Sequence, residues 1–458
     1  MARTTWQEEA DLIVVGSSVG GLAAAVLAAD RGAQVLLLER SKQLGGGAGT
    51  EPEHVAAAGS RFQRDAGVED DPARLVEDLV AAGGEAVDRE VAAAVAEQGA
   101  PLVAWLADRC ALNVELVSGD TAGHSRPRLH TTGDQGGATL TAVLMRAASR
   151  HSRVNVRTGV TVERLVRDDA GSVSGVAVKA DRRGAPQSVA GRVLLACGGY
   201  PADDALVAEH CPALAVVPFR GAAPANGDGL RLGTEAGGST RRLGDCWVTP
   251  FLTIPGDFEV NVPLPRMGAI LVNQGGRLLD AQGGSPQALA ETIRSQPGHV
   301  AYLIFDERVA TVARGADPFF ARAILPKTAR RTMTLKDLAR QLEIDLAGLS
   351  ATIEPFGPVL ELAPGGAAPA EGLLPPLHAI RVTGARRATL GGLAVDAAAR
   401  VLDATGRPIP GLYATTSTAA AVAGLANATL SGLAALNALG LARLAALDLV
   451  ASLPPEAA

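Results

Sequence analysis

Residues 11–40 read DLIVVGSSVGGLAAAVLAADRGAQVLLLER and decide the fold. An apolar run of strand length meets a glycine-rich turn, an alanine-rich helical pattern follows, and a second apolar run ends at Glu39. This order is typical of a βαβ unit with the spacing of a dinucleotide-binding domain. We therefore predict an α/β fold of the Rossmann type around this unit.

The turn from Gly16 to Gly21 follows the GxGxxG pattern, with Ser18 in place of the middle glycine. A glycine there lets the backbone approach a pyrophosphate, whose charge the helix N-terminus stabilises. Glu39 is placed to accept hydrogen bonds from ribose hydroxyls and disfavours a 2′-phosphate. The alternative is a purely structural turn. The predicted dinucleotide-binding residues are Gly16, Ser18, Val19, Gly20, Gly21, Glu39 and Arg40.

The composition is that of an ordinary globular chain with two or three domains. Its 458 residues include 42 Lys+Arg and 48 Asp+Glu, for a net charge of −6, and 3% are aromatic. An acidic chain without clustered basic and aromatic residues does not resemble a nucleic-acid-binding protein. The four cysteines are widely spaced, so we expect neither a metal site nor disulfides, and a cytoplasmic location.

Two apolar stretches, 12–29 and 429–447, have the length of possible membrane segments. The first is interrupted by glycines and follows acidic residues, and the second contains Asn437 and Arg443. A central arginine is costly in lipid. We therefore expect both stretches to be buried helices or strands and the protein to have no membrane partner.

The pattern of residues changes along the chain and predicts its domains. Short β-rich runs occupy 154–195, residues 247–387 are mixed and proline-rich, and the tail returns to β-rich runs before a long Ala/Leu helix. We therefore predict a discontinuous domain, residues 1–246 and 388–458, with an α+β domain inserted at 247–387.

The motifs together resemble the FAD-binding flavoproteins of the fumarate reductase/succinate dehydrogenase superfamily, including its 3-ketosteroid dehydrogenase-like branch. Besides residues 11–40, segments in family order are RFQRDAGVEDDPARL (61–75), VLLACGGY (193–200), NGDGLRLGTEAGG (226–238) and GAILVNQGGRLLD (268–280). The resemblance implies FAD as cofactor, a Rossmann-like FAD-binding domain built from both chain ends, and a capping domain that helps to hold the substrate. It also implies hydride transfer between flavin N5 and a carbon next to a carbonyl.

The resemblance adds further cofactor-binding residues. The C-terminal helix, predicted to begin around 429–431, would point its N-terminus at the flavin and stabilise the reduced ring. The added residues are Gly46, Gly47, Gly198, Asp228, Ser417, Ser431 and Leu433.

Several positions differ from the catalytic pattern of the family. Ser285 stands where fumarate reductases place a proton-donating arginine, and Asn427 or its neighbours replace an arginine that binds a carboxylate. Residues 51–54, EPEH, replace small residues over the flavin. These differences argue against reduction of a C4 dicarboxylate.

The candidate catalytic residues come from the resemblance and from the polar run HSRPRLHTTGD (124–134), for which a solvated loop is the alternative. Arg387 occupies a position that faces substrate in the family, unless the register shifts by one and Arg386 faces it instead. Arg266 lies one residue from a family proton-relay arginine, and His54 is placed to approach the flavin ring. The candidates are Arg387, His130, His124 and Arg266.

We therefore expect an FAD-dependent oxidoreductase, a dehydrogenase or ene-reductase acting on a CH–CH bond next to a carbonyl in a small-molecule substrate. The alternatives are a flavin-dependent oxidase or hydroxylase, and a flavin-binding protein that has lost the family's catalysis. The sequence contains no second nucleotide fingerprint, no haem CxxCH and no iron–sulfur cysteine set. We therefore expect a separate electron donor or acceptor.

Overall fold

The computed structural model describes residues 6–45, 54–117, 123–131, 137–179, 187–221, 225–280, 286–356, 372–423 and 430–453. Its α-helices are α1 Val19–Ala29, α2 Arg61–Asp65, α3 Pro72–Gly83, α4 Arg89–Asp108, α5 Gly137–Arg150, α6 Asp204–His210, α7 Asp228–Glu235, α8 Pro286–Arg294, α9 Glu307–Ala316, α10 Leu325–Thr328, α11 Leu335–Leu342, α12 Leu346–Ile353 and α13 Leu433–Ala451. Its strands are β1 Glu8–Val15, β2 Val35–Glu39, β3 His54–Ala56, β4 Leu129–Thr131, β5 Val154–Thr158, β6 Val162–Arg167, β7 Val173–Val178, β8 Gln187–Leu195, β9 Thr240–Arg241, β10 Cys246–Thr253, β11 Ile270–Val272, β12 Ala301–Asp306, β13 Arg330–Thr332, β14 Leu377–Thr389, β15 Gly392–Leu393, β16 Arg400–Leu402 and β17 Pro408–Ala414.

The chain folds into two compact units. The first contains residues 1–211, 221–246 and 388–458, and the second contains 212–220 and 247–387. We predicted residues 212–220 as part of the first domain, but their backbone pairs with β14 of the second unit. Arg386 N donates to Pro218 O at 2.8 Å, and Arg220 N donates to Arg386 O at 3.0 Å.

The first unit is built on an eight-stranded sheet with the central order β16-β17-β8-β1-β2-β5, and β7 and β6 continue it antiparallel from β8. β1 pairs in parallel with β2 and β8, and β17 from the C-terminal segment pairs in parallel with β8. Both ends of the chain therefore build one sheet. α1, which connects β1 to β2, is buried along its whole length. This confirms the predicted Rossmann-like α/β architecture.

α13 is the helix predicted from the Ala/Leu-rich tail. It is long and apolar enough to cross a membrane, but 67% of its apolar window is buried, and it packs against α1 and α4. Arg443 donates to Gln98 Oε1, which places its charged end on a partner within the fold. The helix begins at Leu433, later than predicted, because Gly432 before it has left-handed backbone with φ 76°.

The second unit is built on a five-stranded sheet in which β12 pairs antiparallel with β11 and β14. Successive side chains of β12 enter two different hydrophobic clusters, since alternate residues of a strand face opposite sides of the sheet. Leu303 and Phe305 lie in one cluster, and Tyr302 and Ile304 lie in the other. Both faces of this sheet are therefore covered, which explains the all-apolar character of residues 301–305.

Candidate functional site

In the turn between β1 and α1, backbone atoms of Gly16, Gly21 and Ala196 lie close together. Gly16 has φ +99°, and a Cβ at this position would lie 2.5 Å from Ala196 O, just after β8. A Cβ on Gly21 would lie 2.3 Å from Gly16 O. Both positions therefore require glycine. The first N–H groups of α1 lack intrahelical partners, and the first turn contains no acidic residue, so this end favours an anion.

Ser18 is the N-cap of α1. Its Oγ accepts a hydrogen bond from Gly21 N at 3.3 Å and lies 3.0 Å from Thr416 Oγ1. Gly20 packs against the same threonine, because a Cβ there would lie 2.6 Å from Thr416 Oγ1. The serine at the middle position of the turn therefore caps the helix and contacts a residue from the C-terminal segment.

Glu39 is buried at the end of β2 and is held by three donors. Its Oε2 accepts from Ser17 N at 2.9 Å and from Ser17 Oγ at 2.6 Å, and its Oε1 accepts from Ser41 N at 2.7 Å. A carboxylate has about four acceptor positions, so the contacts with the described residues leave one for a ribose hydroxyl. Ser17, whose Oγ also accepts from Gly45 N at 3.0 Å, was not predicted from the sequence. The available signal was a hydroxyl residue at the end of β1, beside the end of β2.

Arg40 and Asp228 form an ion pair. Arg40 Nη1 lies 2.5 Å from Asp228 Oδ2, and about a third of each side chain is exposed. Asp228, a predicted cofactor-binding residue, is the first residue of α7. Because the guanidinium already has a carboxylate partner, this pair does not offer a free cation to a 2′-phosphate.

Residues 415–418 connect the C-terminal segment to this turn. Thr415 Oγ1 donates to Ala438 O at 2.6 Å, and Thr418 Oγ1 donates to Gly198 O at 2.9 Å. Gly198 has φ +77°, and the nearest atom to a Cβ there is Ala225 Cβ at 4.0 Å. Ser417 is half-buried beside Gly199. Residues from both chain ends thus surround the N-terminus of α1.

Two further predicted cofactor-binding residues lie at the start of α13. Ser431 is half-buried before α13, and Leu433 is the buried first residue of that helix. The predicted cofactor-binding residues Gly46 and Gly47 lie outside the described residues. Other positions that the sequence singled out also lie outside them: 51–53, Asp134, Ser285 and Asn427. His54 is the half-buried first residue of β3.

His130 is fully buried in β4, and both of its ring nitrogens are bonded. Nδ1 lies 3.0 Å from Arg128 O, and Nε2 lies 2.7 Å from Ser60 Oγ. A carbonyl only accepts, so Nδ1 carries the proton and Nε2 accepts from Ser60. Burial lowers the pKa of His130 below its usual 6.5. This geometry supports a structural role for a neutral histidine.

His124 is 4% exposed, and its Nε2 donates to Ser431 O at 2.8 Å. Its Nδ1 has no hydrogen-bond partner among the described residues. Burial is the main cause that lowers its pKa below 6.5. His124 therefore links its loop to the segment before α13. It shares no hydrogen-bond partner with His130 among the described residues.

The two buried histidines predict a pH-dependent stability. The unfolded chain binds protons on these rings more readily than the folded chain does, so stability falls as the pH drops below 6.5. Each histidine contributes a slope of up to about 1.4 kcal/mol per pH unit. We expect His130→Gln to reduce the slope of the unfolding free energy between pH 7 and 5, measured by urea denaturation. The exposed His299→Gln is the matched control, and an equal slope in both variants would contradict the prediction.

Arg387 lies near the end of β14 in the second unit. Its Nε is 3.2 Å from Glu259 Oε2, with 13% and 15% of the two side chains exposed, and its Nη1 donates to Arg220 O. Burial raises the pKa of Glu259 although Arg387 and Thr249 act against that rise. Glu259 was not predicted from the sequence, since nothing in the sequence links it to a residue 128 positions later.

The other two arginine candidates differ from Arg387 in exposure. Arg386 is 3% exposed and pairs through its backbone with residues 218 and 220. Arg266 is exposed in the 3-10 turn Leu264–Met267. Of these arginines, Arg387 has the combination of partial exposure and a fixed acidic partner. Among the described residues, three of its five N–H donors have no hydrogen-bond partner.

The first unit has three features that a dinucleotide-binding site requires. It combines a turn that only glycine can form, an anion-binding helix end and a carboxylate with one free acceptor position for a ribose hydroxyl. Among the described residues, no group of three His, Cys, Asp or Glu side chains is arranged to hold a metal ion. The geometry therefore fits a dinucleotide at the β1–α1 turn.

Comparison with known proteins identifies the dinucleotide. Residues 11–431 match the family model of the FAD binding domain. The chain is 28% identical over 415 residues to the NADH:fumarate oxidoreductase of Klebsiella pneumoniae, covering 88% of this chain and 44% of that protein. It is 26% identical over 512 aligned positions to the 4-oxocyclohexanecarboxylate 2-dehydrogenase of Sinomonas cyclohexanicum, covering 88% of this chain and 86% of that protein.

A solved structure supports the same relationship. A flavocytochrome c3 fumarate reductase in an open conformation superposes with a TM-score of 0.84 at 25% identity, covering 97% of this chain and 79% of that chain. The chain therefore belongs to the FAD-binding family of the fumarate reductase/succinate dehydrogenase flavoproteins, a family of oxidoreductases, and its cofactor is FAD.

Proposed function

We propose that this protein is a dehydrogenase or ene-reductase that acts on a CH–CH bond next to a carbonyl, and that its substrate is not a C4 dicarboxylate. Relatives named for fumarate and for 4-oxocyclohexanecarboxylate support the first part, because both compounds contain a carbon–carbon bond next to a carbonyl carbon. The proposal that the substrate is not a C4 dicarboxylate rests on the ion pair between Arg387 and Glu259.

The ion pair determines which substrate group Arg387 can bind. A substrate carboxylate would compete with Glu259 for the guanidinium and would lie near a second carboxylate. A neutral carbonyl oxygen can instead accept a hydrogen bond from one of the three N–H groups that have no partner among the described residues, while the pair stays intact. Such a hydrogen bond polarises the carbonyl and orients the carbons beside it. We therefore propose a ketone or enone as the substrate class.

The residues of the first unit would hold the cofactor. The N-terminus of α1 would bind the pyrophosphate, and Glu39, fixed by Ser17, would accept from one ribose hydroxyl. When bound, FAD supplies the two-electron redox chemistry. The protein residues supply binding, orientation and a carbonyl-polarising donor.

The test uses the FAD-loaded protein, photoreduced without oxygen and mixed in turn with a cyclic enone, fumarate or dioxygen. We expect the enone to reoxidise the flavin at least about tenfold faster than fumarate, since tenfold corresponds to one well-placed hydrogen bond of about 1.4 kcal/mol. Fastest reoxidation by fumarate would contradict the proposal. Fastest reoxidation by dioxygen would support an oxidase instead, and no reoxidation by any of the three would support a protein without this catalysis.

A variant at Arg387 tests its role directly. We expect Arg387→Met to lower kcat/KM for the enone by about 10- to 100-fold, because a hydrogen bond from a charged donor contributes about 1.5–3 kcal/mol. Arg340→Met removes an exposed arginine that pairs with Asp337 on α11, and it should leave kcat/KM unchanged. Equal kcat/KM values for the parent and Arg387→Met would refute the assignment.

A further inference from the structure

Two hydroxyl groups from opposite ends of the chain meet at the N-terminus of α1. Ser18 Oγ and Thr416 Oγ1 are 3.0 Å apart, although 398 positions separate the residues. Both side chains are half-buried in the first unit. Ser18 stands at the middle position of the turn, where a glycine would let the backbone approach the pyrophosphate.

The hydrogen bond between these two hydroxyl groups uses one of their two protons, so the other proton is available to a third group. A hydroxyl has one donor and two acceptor positions. Ser18 Oγ already accepts from Gly21 N. If Thr416 donates to Ser18 Oγ, both acceptor positions of Ser18 are filled, and its own proton is available for a third group. If Ser18 instead donates to Thr416 Oγ1, the proton of Thr416 is the one that is available to a third group.

We propose that Ser18 donates this proton to a phosphate oxygen of FAD, and that Thr416 is a positioning residue that orients the Ser18 hydroxyl. Ser18 is the donor because it lies on the helix cap, where the N-terminal end of the dipole attracts the anion. The side-chain hydroxyl thereby replaces the close backbone contact that glycine allows. The inference rests on FAD binding and is independent of the reaction proposed above.

The backbone around Thr416 holds its hydroxyl at this place. Thr416 has φ +54°, a left-handed conformation that is rare for a β-branched residue. Thr415 and Thr418 on either side donate their hydroxyls to the carbonyls of Ala438 and Gly198. The neighbours thus anchor the segment, and the hydroxyl of Thr416 faces the turn.

The experiment measures the dissociation constant of FAD by titrating apoprotein and following flavin fluorescence, with no substrate present. We expect Ser18→Ala to raise the dissociation constant about tenfold, because it removes a hydrogen bond to a charged group. Thr416→Val should raise it about fivefold, and Thr416→Ser, which keeps the hydroxyl, should bind as the parent does.

The double variant Ser18→Ala/Thr416→Val separates positioning from direct contact. If Thr416 acts only through Ser18, the double variant binds FAD as weakly as Ser18→Ala alone. Ser239→Ala, which removes a hydroxyl that donates to Leu402 O, is the matched control and should bind FAD as the parent does.

Two results would overturn the proposal: FAD binding by Ser18→Ala that equals the parent's, or effects of the two substitutions that multiply in the double variant. The melting temperature of each apoprotein shows whether a variant folds, and Ser18→Ala alone still tests the contact with FAD if Thr416→Val does not fold. Because no substrate is used, failure of this proposal leaves the proposed reaction untouched, and failure of the enone test leaves this one untouched.

Discussion

Gly16→Ala should abolish FAD binding at micromolar FAD and destabilise the protein by about 3 kcal/mol, from overpacking and left-handed strain of about 1–3 kcal/mol each. The added Cβ would lie 2.5 Å from Ala196 O at a residue with φ +99°. β1 and β8 pair in parallel up to Val15 and Leu195, so neither strand can move away without losing the sheet. The measurements are flavin content after reconstitution and urea unfolding of the apoprotein.

Gly159→Ala is the matched control for this prediction. Gly159 has φ +72°, and no atom lies within 4 Å of a Cβ at this position among the described residues. Its substitution therefore adds only backbone strain, about 1–2 kcal/mol, and should leave FAD binding unchanged. Equal FAD affinities in Gly16→Ala and the parent would show that the turn does not form the cofactor site.

Arg128→Met should destabilise the protein by about 3–5 kcal/mol, because it leaves buried carboxylates without their cation. Arg128 is 0% exposed, and its guanidinium bonds both oxygens of Asp70 at 3.0 and 2.9 Å and Asp78 Oδ2 at 2.7 Å. The side chain of Asp70 is also 0% exposed. The free energy of unfolding in urea measures the effect.

Arg61→Met is the control, since Arg61 forms a similar two-point pair with Asp108 at 2.7 and 2.6 Å on the surface. Solvent and salt screen that pair, so its loss should change stability far less. If the two variants lose equal stability, burial is not what makes the Arg128 pair important. The methionine in Arg128→Met keeps much of the arginine stem's volume, which limits the contribution from a cavity.

The sequence predicted the parts of the fold that local patterns determine. Residues 11–40 specify β1, α1 and β2 through hydrophobic runs and a glycine turn, and Glu39 lies at the strand end as predicted. Asp228 begins α7 for the same kind of local reason. In contrast, the contact between Ser18 and Thr416 depends on the pairing of β17 with β8, which no local pattern specifies.

The polar run at 124–134 shows why polar residues alone do not predict a catalytic site. His130 and Arg128 look like solvated or catalytic groups in the sequence, yet both are fully buried. Their partners Ser60 and Asp70 come from a segment about sixty residues earlier. Burial with complete hydrogen bonding is a property of tertiary packing, and the sequence alone does not contain a periodic signal for it.

FAD binding by this protein is tested by the flavin content of the purified chain. The protein is denatured, and the released flavin is identified and counted against the protein concentration. We expect a yellow protein that releases a single FAD for each chain, or that takes up FAD to this ratio on reconstitution. A colourless chain that takes up no FAD on reconstitution would contradict it.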